Sequence, residues 1–279
     1  MNLKGQWVWI TGASSGLGLA LAKQLASRGA NLIVSARRLE RLEALAKELS
    51  TAHGIEARAL AGDMSKSSDV ERLISEVKKT PVAAVVLNAG ITHLGHHHEL
   101  EWAAFETMLQ TNVVGTTRIT SELVRHYKTT GGSLRVMLVT SMAGLIPVPF
   151  QSAYSGTKAF LTAFGTALAH ELKGSPISVT VFAPGGIATE MTAGDKFGSL
   201  RGWLAPVESV AAEAVAALES RPPLWVQGFS NRMGLFLARL VPRNLFLGQL
   251  ARTYRKALAD ASARAAGGDA ASKPSAKTP

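Results

Sequence analysis

Short apolar, β-branched runs alternate along the chain with longer segments of helical period. Trp7–Ile10, Asn31–Ser35, Ile55–Ala61, Val82–Leu87, Leu134–Val139, Ile177–Phe182 and Leu224–Gln227 predict strands. The run Val82-Ala83-Ala84-Val85-Val86-Leu87 is unbroken, as expected of a strand buried on both faces. Between the strands, Gly16–Arg28, Leu39–Ala52, Ser67–Lys79, Glu99–Thr129, Ala153–Lys173 and Val207–Ser220 each carry an apolar stripe among polar positions and predict helices. The alternation predicts a seven-stranded parallel sheet with helices on both faces, a doubly wound Rossmann-like three-layer α/β sandwich over residues 1–230. Residues 231–259 predict a basic amphipathic helical extension. Residues 260–279, rich in Ala, Gly, Ser, Lys and Pro, predict a disordered tail, because they offer too little apolar surface to offset chain entropy.

Composition removes several chemistries. The chain has no cysteine, which excludes disulfides, zinc-thiolate and iron–sulfur sites and a cysteine nucleophile. The first residues run directly into Trp7–Ile10, too short for a signal-peptide core, and Met233 to Leu250 is interrupted by Arg239, Pro242 and Arg243. A cytoplasmic protein without a spanning helix is therefore expected. Thirty Lys and Arg against twenty Asp and Glu give a net charge of +10, which calls for an anionic partner. Seven of those cations lie between Ser220 and Ala259 with no acid among them, so the rest of the chain is nearly neutral.

Three local patterns carry candidate chemistry. Thr11-Gly12-Ala13-Ser14-Ser15-Gly16-Leu17-Gly18 joins the first strand to the first helix, where glycines let the backbone approach a pyrophosphate and a helix N-terminus offers unpaired N–H groups. At the end of the second strand, where a carboxylate would select a free ribose 2′-hydroxyl, the chain has Ser35-Ala36-Arg37-Arg38 and no acid until Glu40. Arginine forks suit a 2′-phosphate, so NADP(H) is the expected cofactor. Tyr154 and Lys158 stand at i and i+4 on one helix face, where a cation favours the phenolate and brings it toward working pH. Ser141 follows the strand Leu134–Val139, thirteen residues before Tyr154, and Asn112 is an amide in the middle of a long helix, where its propensity is poor. Asn88-Ala89-Gly90 closes the fourth strand at the same sheet edge.

From Trp7 to about Thr189 these motifs, in order and spacing, resemble the classical short-chain dehydrogenase/reductase family. The resemblance implies Tyr154 as general acid/base, Ser141 as hydrogen-bond partner of the substrate oxygen, Lys158 on the nicotinamide ribose and lowering the Tyr154 pKa, and Asn112 as anchor of a proton relay. Around the cofactor it implies the Gly12, Ser14, Ser15, Gly16, Leu17, Gly18 loop, Arg37 and Arg38, then Asp63 and Met64 at the adenine. Asn88, Ala89 and Gly90 would meet the adenosine ribose, and Pro184, Gly185, Ile187 and Thr189 the nicotinamide side. The chain departs from the family's usual pattern in having Gly186 before Ile187. Such an enzyme transfers hydride between NADP(H) and a ketone or secondary alcohol. The rival reading is a non-catalytic NADP-binding regulator or membrane-recruitment protein on the same fold; intact Asn112, Ser141, Tyr154 and Lys158 weigh against it.

The segments expected to wall the substrate are apolar: Gly144 to Phe150 after Ser141, and a lid from Glu190 to Leu204 with Met191, Phe197, Leu200, Trp203 and Leu204. They suggest a small apolar carbonyl or alcohol substrate, lipid-like in character. His93, His96, His97 and His98 are read as a surface loop at the cleft rim, with no metal expected, because adjacent histidines cannot all face one ion. A homodimer or homotetramer is the expected assembly. Residues 231–259 leave open an anionic membrane surface, a substrate cap or an interface. Their cations are spaced among leucines and form no phosphate-tracking stripe, so no nucleic acid is expected.

Overall fold

The computed structural model describes residues 3–271. Strands form at β1 (Trp7–Thr11), β2 (Asn31–Ala36), β3 (Ala57–Ala61), β4 (Val82–Leu87), β5 (Leu134–Val139), β6 (Ile177–Ala183) and β7 (Leu224–Val226). The helices are α1 (Gly16–Ser27), α2 (Leu39–His53), α3 (Ser67–Val77), α4 (Trp102–Leu109), α5 (Thr116–Thr130), α6 (Ser152–Glu171), α7 (Val207–Ser220), α8 (Phe229–Ala238) and α9 (Arg243–Ala271). All strand pairings are parallel, in the order β3-β2-β1-β4-β5-β6-β7. The order reverses between β1 and β4, and such a switch opens a crevice above the carboxyl ends of the strands.

Two apolar layers hold the sheet. On one face Leu21 and Leu25 of α1, Leu42 and Leu49 of α2 and Val210 and Val215 of α7 pack on Val8, Ile10 and Val34. On the other, Leu73 and Ile74 of α3 and Ile119 and Leu123 of α5 pack on Trp9, Val85 and Leu138. Every position of β5 is buried, so its backbone is fixed from both sides and its carboxyl end is a rigid platform for Ser141. Trp9 is wholly buried in the core, and its indole N–H is satisfied by Ser35 Oγ at 2.9 Å.

Two expectations are corrected. The helix expected over Glu99–Thr129 begins at Trp102 and widens into a π-helical turn at Gln110–Gly115. Gly115 permits the turn to pass Met64, since a Cβ there would lie 2.7 Å from the Met64 carbonyl oxygen. The tail expected to be disordered from residue 260 is helical as far as Ala271. Alanine has the highest helix propensity, and buried Ala257 and Ala261 let α9 lie close against the lid. The rest of that tail, residues 272–279, lies outside the described residues. Among the described residues no helix is long and apolar enough to cross a membrane.

Candidate active site

The loop between β1 and α1 is tied to β4. Thr11 Oγ1 accepts from the backbone N–H groups of Asn88 (3.0 Å) and Ala89 (3.1 Å), and the Asn88 amide donates to the Thr11 and Gly12 carbonyls. Gly12 and Gly16 have φ of +69° and +54°, and a Cβ on Gly12 would stand 2.9 Å from Ala89 Cα. Serine caps α1 only by position: Ser15 makes no side-chain cap and the first turn holds no acid, leaving its N–H groups directed at the crevice. A cavity of about 390 Å³ opens there.

At the centre of that cavity stand Ser141, Tyr154 and Lys158. Ser141 caps the short 3₁₀ turn Met142–Gly144 by accepting from Ala143 N at 3.1 Å, and its hydroxyl also pairs with Tyr154. Lys158, buried on α6, donates to the Val139 carbonyl at 2.9 Å, with its ammonium 5.8 Å from the Tyr154 ring centroid. Burial brings the Lys158 pKa down to about 8. Burial pushes the Tyr154 phenol up, the Ser141 hydrogen bond pulls it down, and Tyr254 adds a further upward push. The net direction in the polypeptide is therefore opposite to the lowering expected from the neighbouring cation, because desolvation is the largest contribution. Asn112 is wholly buried and does not line the cavity. Its oxygen accepts from Ile91 N (2.8 Å) while its nitrogen donates to Ile91 O (2.9 Å) and Thr157 Oγ1 (3.0 Å), so it binds the β4 loop to α6.

Beyond β2, Arg38 holds the hydroxyls of Ser14 and Ser15, both at 3.0 Å, and reaches Glu190 at 3.4 Å. Arg41 pairs with the other oxygen of Glu190 at 3.1 Å, and the two guanidiniums, Arg41 foremost, hold this carboxyl below its usual range. Asp63 accepts from Ser65 through backbone and hydroxyl at 2.9 and 2.8 Å.

The opposite end of the cavity is apolar. Met142, Val148, Met191, Phe197, Leu200 and Leu204 line it. The lid is two 3₁₀ turns, Glu190–Thr192 and Asp195–Trp203, the first closed by a reciprocal Thr189–Thr192 capping box. Leu200 packs with Leu94 and Ala257, against which Phe150, Phe197, Tyr254 and Leu258 close. The middle of α9, from Tyr254 to Leu258, is thus a cap over the lid, and Tyr254 reaches the cavity itself.

The family model of the short chain dehydrogenases matches residues 6–196. The chain belongs to that family. It is 30% identical to human 17-beta-hydroxysteroid dehydrogenase type 3 over 67% of this chain and 61% of that protein. It is 32% identical to the very-long-chain 3-oxoacyl-CoA reductase of Schizosaccharomyces pombe over 64% of this chain and 55% of that one. The chain therefore spans somewhat more than half the length of these relatives. Among solved structures, a short-chain dehydrogenase from Sphingobium yanoikuyae in complex with NADPH superposes with a TM-score of 0.72 at 23% identity, covering 98% of each chain. A 3-ketoacyl-(acyl-carrier-protein) reductase from Brucella melitensis complexed with NADH gives 0.70 at 29% identity, covering 81% of this chain and 97% of that one.

The cradle in this short-chain dehydrogenase fits a nicotinamide dinucleotide: close-approach glycines, an open helix N-terminus and a basic end beside polar hydroxyls. The cavity brings together the residues expected at the cofactor from Gly12 to Thr189, Arg37 and Met64 included. Gly18 is the exception; it stands behind the loop, where a Cβ would fall 2.3 Å from the Gly12 carbonyl oxygen. The histidine loop lies at the rim, with the His96 ring edge-on to Phe150 at 5.0 Å, and among the described residues no three His, Asp or Glu side chains are placed to share a metal. Sequence reasoning named Glu190 only as the start of the lid, without its arginine partners, and missed Gln151 and Tyr254. Tyr254 had a faint signal, being one of only three tyrosines, set in a segment mostly of Arg, Lys, Ala and Leu. Gln151, bonded to Thr92 at 3.2 Å, had none.

Proposed function

We propose that this short-chain dehydrogenase is an NADP(H)-dependent carbonyl reductase that converts an apolar, lipid-like ketone into a secondary alcohol. The observation that carries the reading is that Ser141, Tyr154 and Lys158 line one cavity between a polar, glycine-built cradle and an apolar chamber under a lid. A bound NADPH supplies hydride to the carbonyl carbon. The chain supplies the rest. Ser141 and Tyr154 are two hydroxyl donors for one oxygen, the arrangement that stabilises a developing alkoxide. As the carbon–oxygen π bond breaks, the Tyr154 proton passes to that oxygen, and the tyrosinate left behind regains a proton from solvent. Burial keeps the phenol protonated at neutral pH, so the donor is loaded; Ser141 and the Lys158 ammonium favour the anion it becomes.

Preference for NADP(H) rests on Arg38, held over the Ser14–Ser15 loop with no carboxylate on β2 to bind a free 2′-hydroxyl. The apolar substrate class rests on the chamber's Met, Val, Phe and Leu lining. The relatives point the same way, two of them being named for a hydroxysteroid and a very-long-chain acyl group.

The test is NADPH oxidation with a panel of apolar ketones. Tyr154→Phe is expected to lower the rate by about 10²–10⁴-fold, the usual contribution of a positioned acid, while leaving NADPH binding in place. An unchanged rate would refute the proton-transfer role.

A further inference from the structure

Helix α8 turns its more apolar side outward. Its half-buried side is Asn231, Leu235 and Ala238, with Asn231 set against Gly185 under the cofactor cradle. Its outer side carries Phe229, Met233, Phe236 and Leu237, which are 72%, 40%, 57% and 51% exposed. Leu240, Val241 and Leu245 continue the exposed surface into the first turn of α9. Phe229, Met233, Phe236 and Leu240 follow the i, i+4, i+7, i+11 spacing of one helical stripe, the pattern that a surface helix ordinarily turns to the core. A contiguous apolar face of this kind marks a contact surface.

Charge chooses what covers it. Arg232, Arg239 and Arg243 are exposed along the stripe, and no Asp or Glu occurs from Arg221 to Ala259. A two-fold partner would set this patch against itself, bringing arginines toward arginines with no carboxylate of the segment to separate them. A surface both apolar within and anionic outside satisfies both features. We propose that α8 and the first turns of α9 seat the protein on an anionic phospholipid bilayer.

The face adjoins the cleft. Leu145, Ile146 and Pro147 border a groove with Leu235, Val241 and Phe246, and Val148 of the same loop lines the substrate chamber. Docking therefore brings the rim of the chamber to the lipid surface, where an apolar ketone would be concentrated. That delivery role rests on the reductase reading; the docking itself does not.

Vesicle co-sedimentation of the full chain tests it, using phosphatidylcholine vesicles with and without phosphatidylglycerol at low salt. Wild type is expected to sediment with the anionic vesicles and to be released by high salt. Phe236→Glu with Leu240→Glu, and separately Arg232→Glu with Arg239→Glu and Arg243→Glu, should each weaken vesicle binding at least tenfold. Both variants should keep wild-type turnover of a water-soluble ketone, because these side chains are exposed and outside the cleft. The proposal is overturned if wild type does not bind anionic vesicles, or if the Phe236→Glu, Leu240→Glu variant binds as well as wild type. A dimer in solution that this variant splits, without vesicle binding by wild type, would assign the face to a second copy instead. Failure of wild type to turn over any ketone would count against the reductase reading and leave the sedimentation result standing.

Discussion

Gly18 stands behind the cofactor loop and Gly186 lines the cleft beside Leu204, and an added methyl group would meet different obstacles at the two. At Gly18 it would fall 2.3 Å from the Gly12 carbonyl oxygen, a backbone atom in a loop locked by Thr11 and Asn88. At Gly186 it would meet the tip of the Leu204 side chain at 2.8 Å, and that tip can move. The cofactor end is shaped by main chain anchored in the sheet, whereas the substrate end is shaped by side chains delivered from the lid and α9. The largest expected effect probes this difference directly. Gly18→Ala should destabilise the protein by about 3 kcal/mol or more and abolish NADPH binding, while Gly186→Ala should cost under about 1 kcal/mol. Urea unfolding of the two variants reads both, and equal losses would erase the distinction.

The same division decides how much was legible in the sequence. The seven strands and the glycine loop follow from local rules: unbroken apolar runs, a strand-to-helix turn and positive-φ glycines. Ser141, Tyr154 and Lys158 were placed because each lies at the carboxyl end of β5 or one helical turn apart on α6. The substrate end depends on contacts over great chain separations. Lys196 reaches the Leu94 carbonyl at 3.2 Å across 102 residues, and Tyr254 arrives from α9, so nothing near either residue announces its role. The net shift of Tyr154 was likewise hidden, because the spacing shows a nearby cation but not the desolvation that outweighs it. The widened turn at Asn112 belongs to the same class: it passes close to Met64 at Gly115, fifty-one residues away in the chain.

A smaller effect sharpens the cofactor side. Arg38 serves two masters in the structure, the Ser14 and Ser15 hydroxyls and the Glu190 carboxylate. If its guanidinium also binds a 2′-phosphate, Arg38→Ala should weaken NADPH by about tenfold to a hundredfold, the worth of a hydrogen bond to a charged group, and leave NADH nearly unchanged. Arg41 still pairs with Glu190 in that variant, so the start of the lid keeps a tether. Dissociation constants for the two cofactors measure the split. Equal weakening of both would mean that Arg38 only braces the loop.

The smallest effect lies on the substrate side, at Tyr254. Burial, Ser141 and Tyr254 act on the Tyr154 phenol in that order of size, the first and last raising its pKa. With Tyr154 as the proton donor proposed above, reduction would draw on the protonated phenol, so its rate should hold as pH rises until Tyr154 ionises and then fall. Tyr254→Phe keeps the ring that fills the chamber and removes the hydroxyl whose ionisation opposes that of Tyr154. The alkaline limb of kcat/KM for reduction should therefore move to lower pH, with the KM of apolar ketones within about twofold because the buried apolar area is kept. The pH profile separates this from simple packing: a residue that merely fills space would leave the limb where it is. A shift would show that α9, reaching the cleft from the far end of the chain, tunes the acid as well as closing the chamber above it.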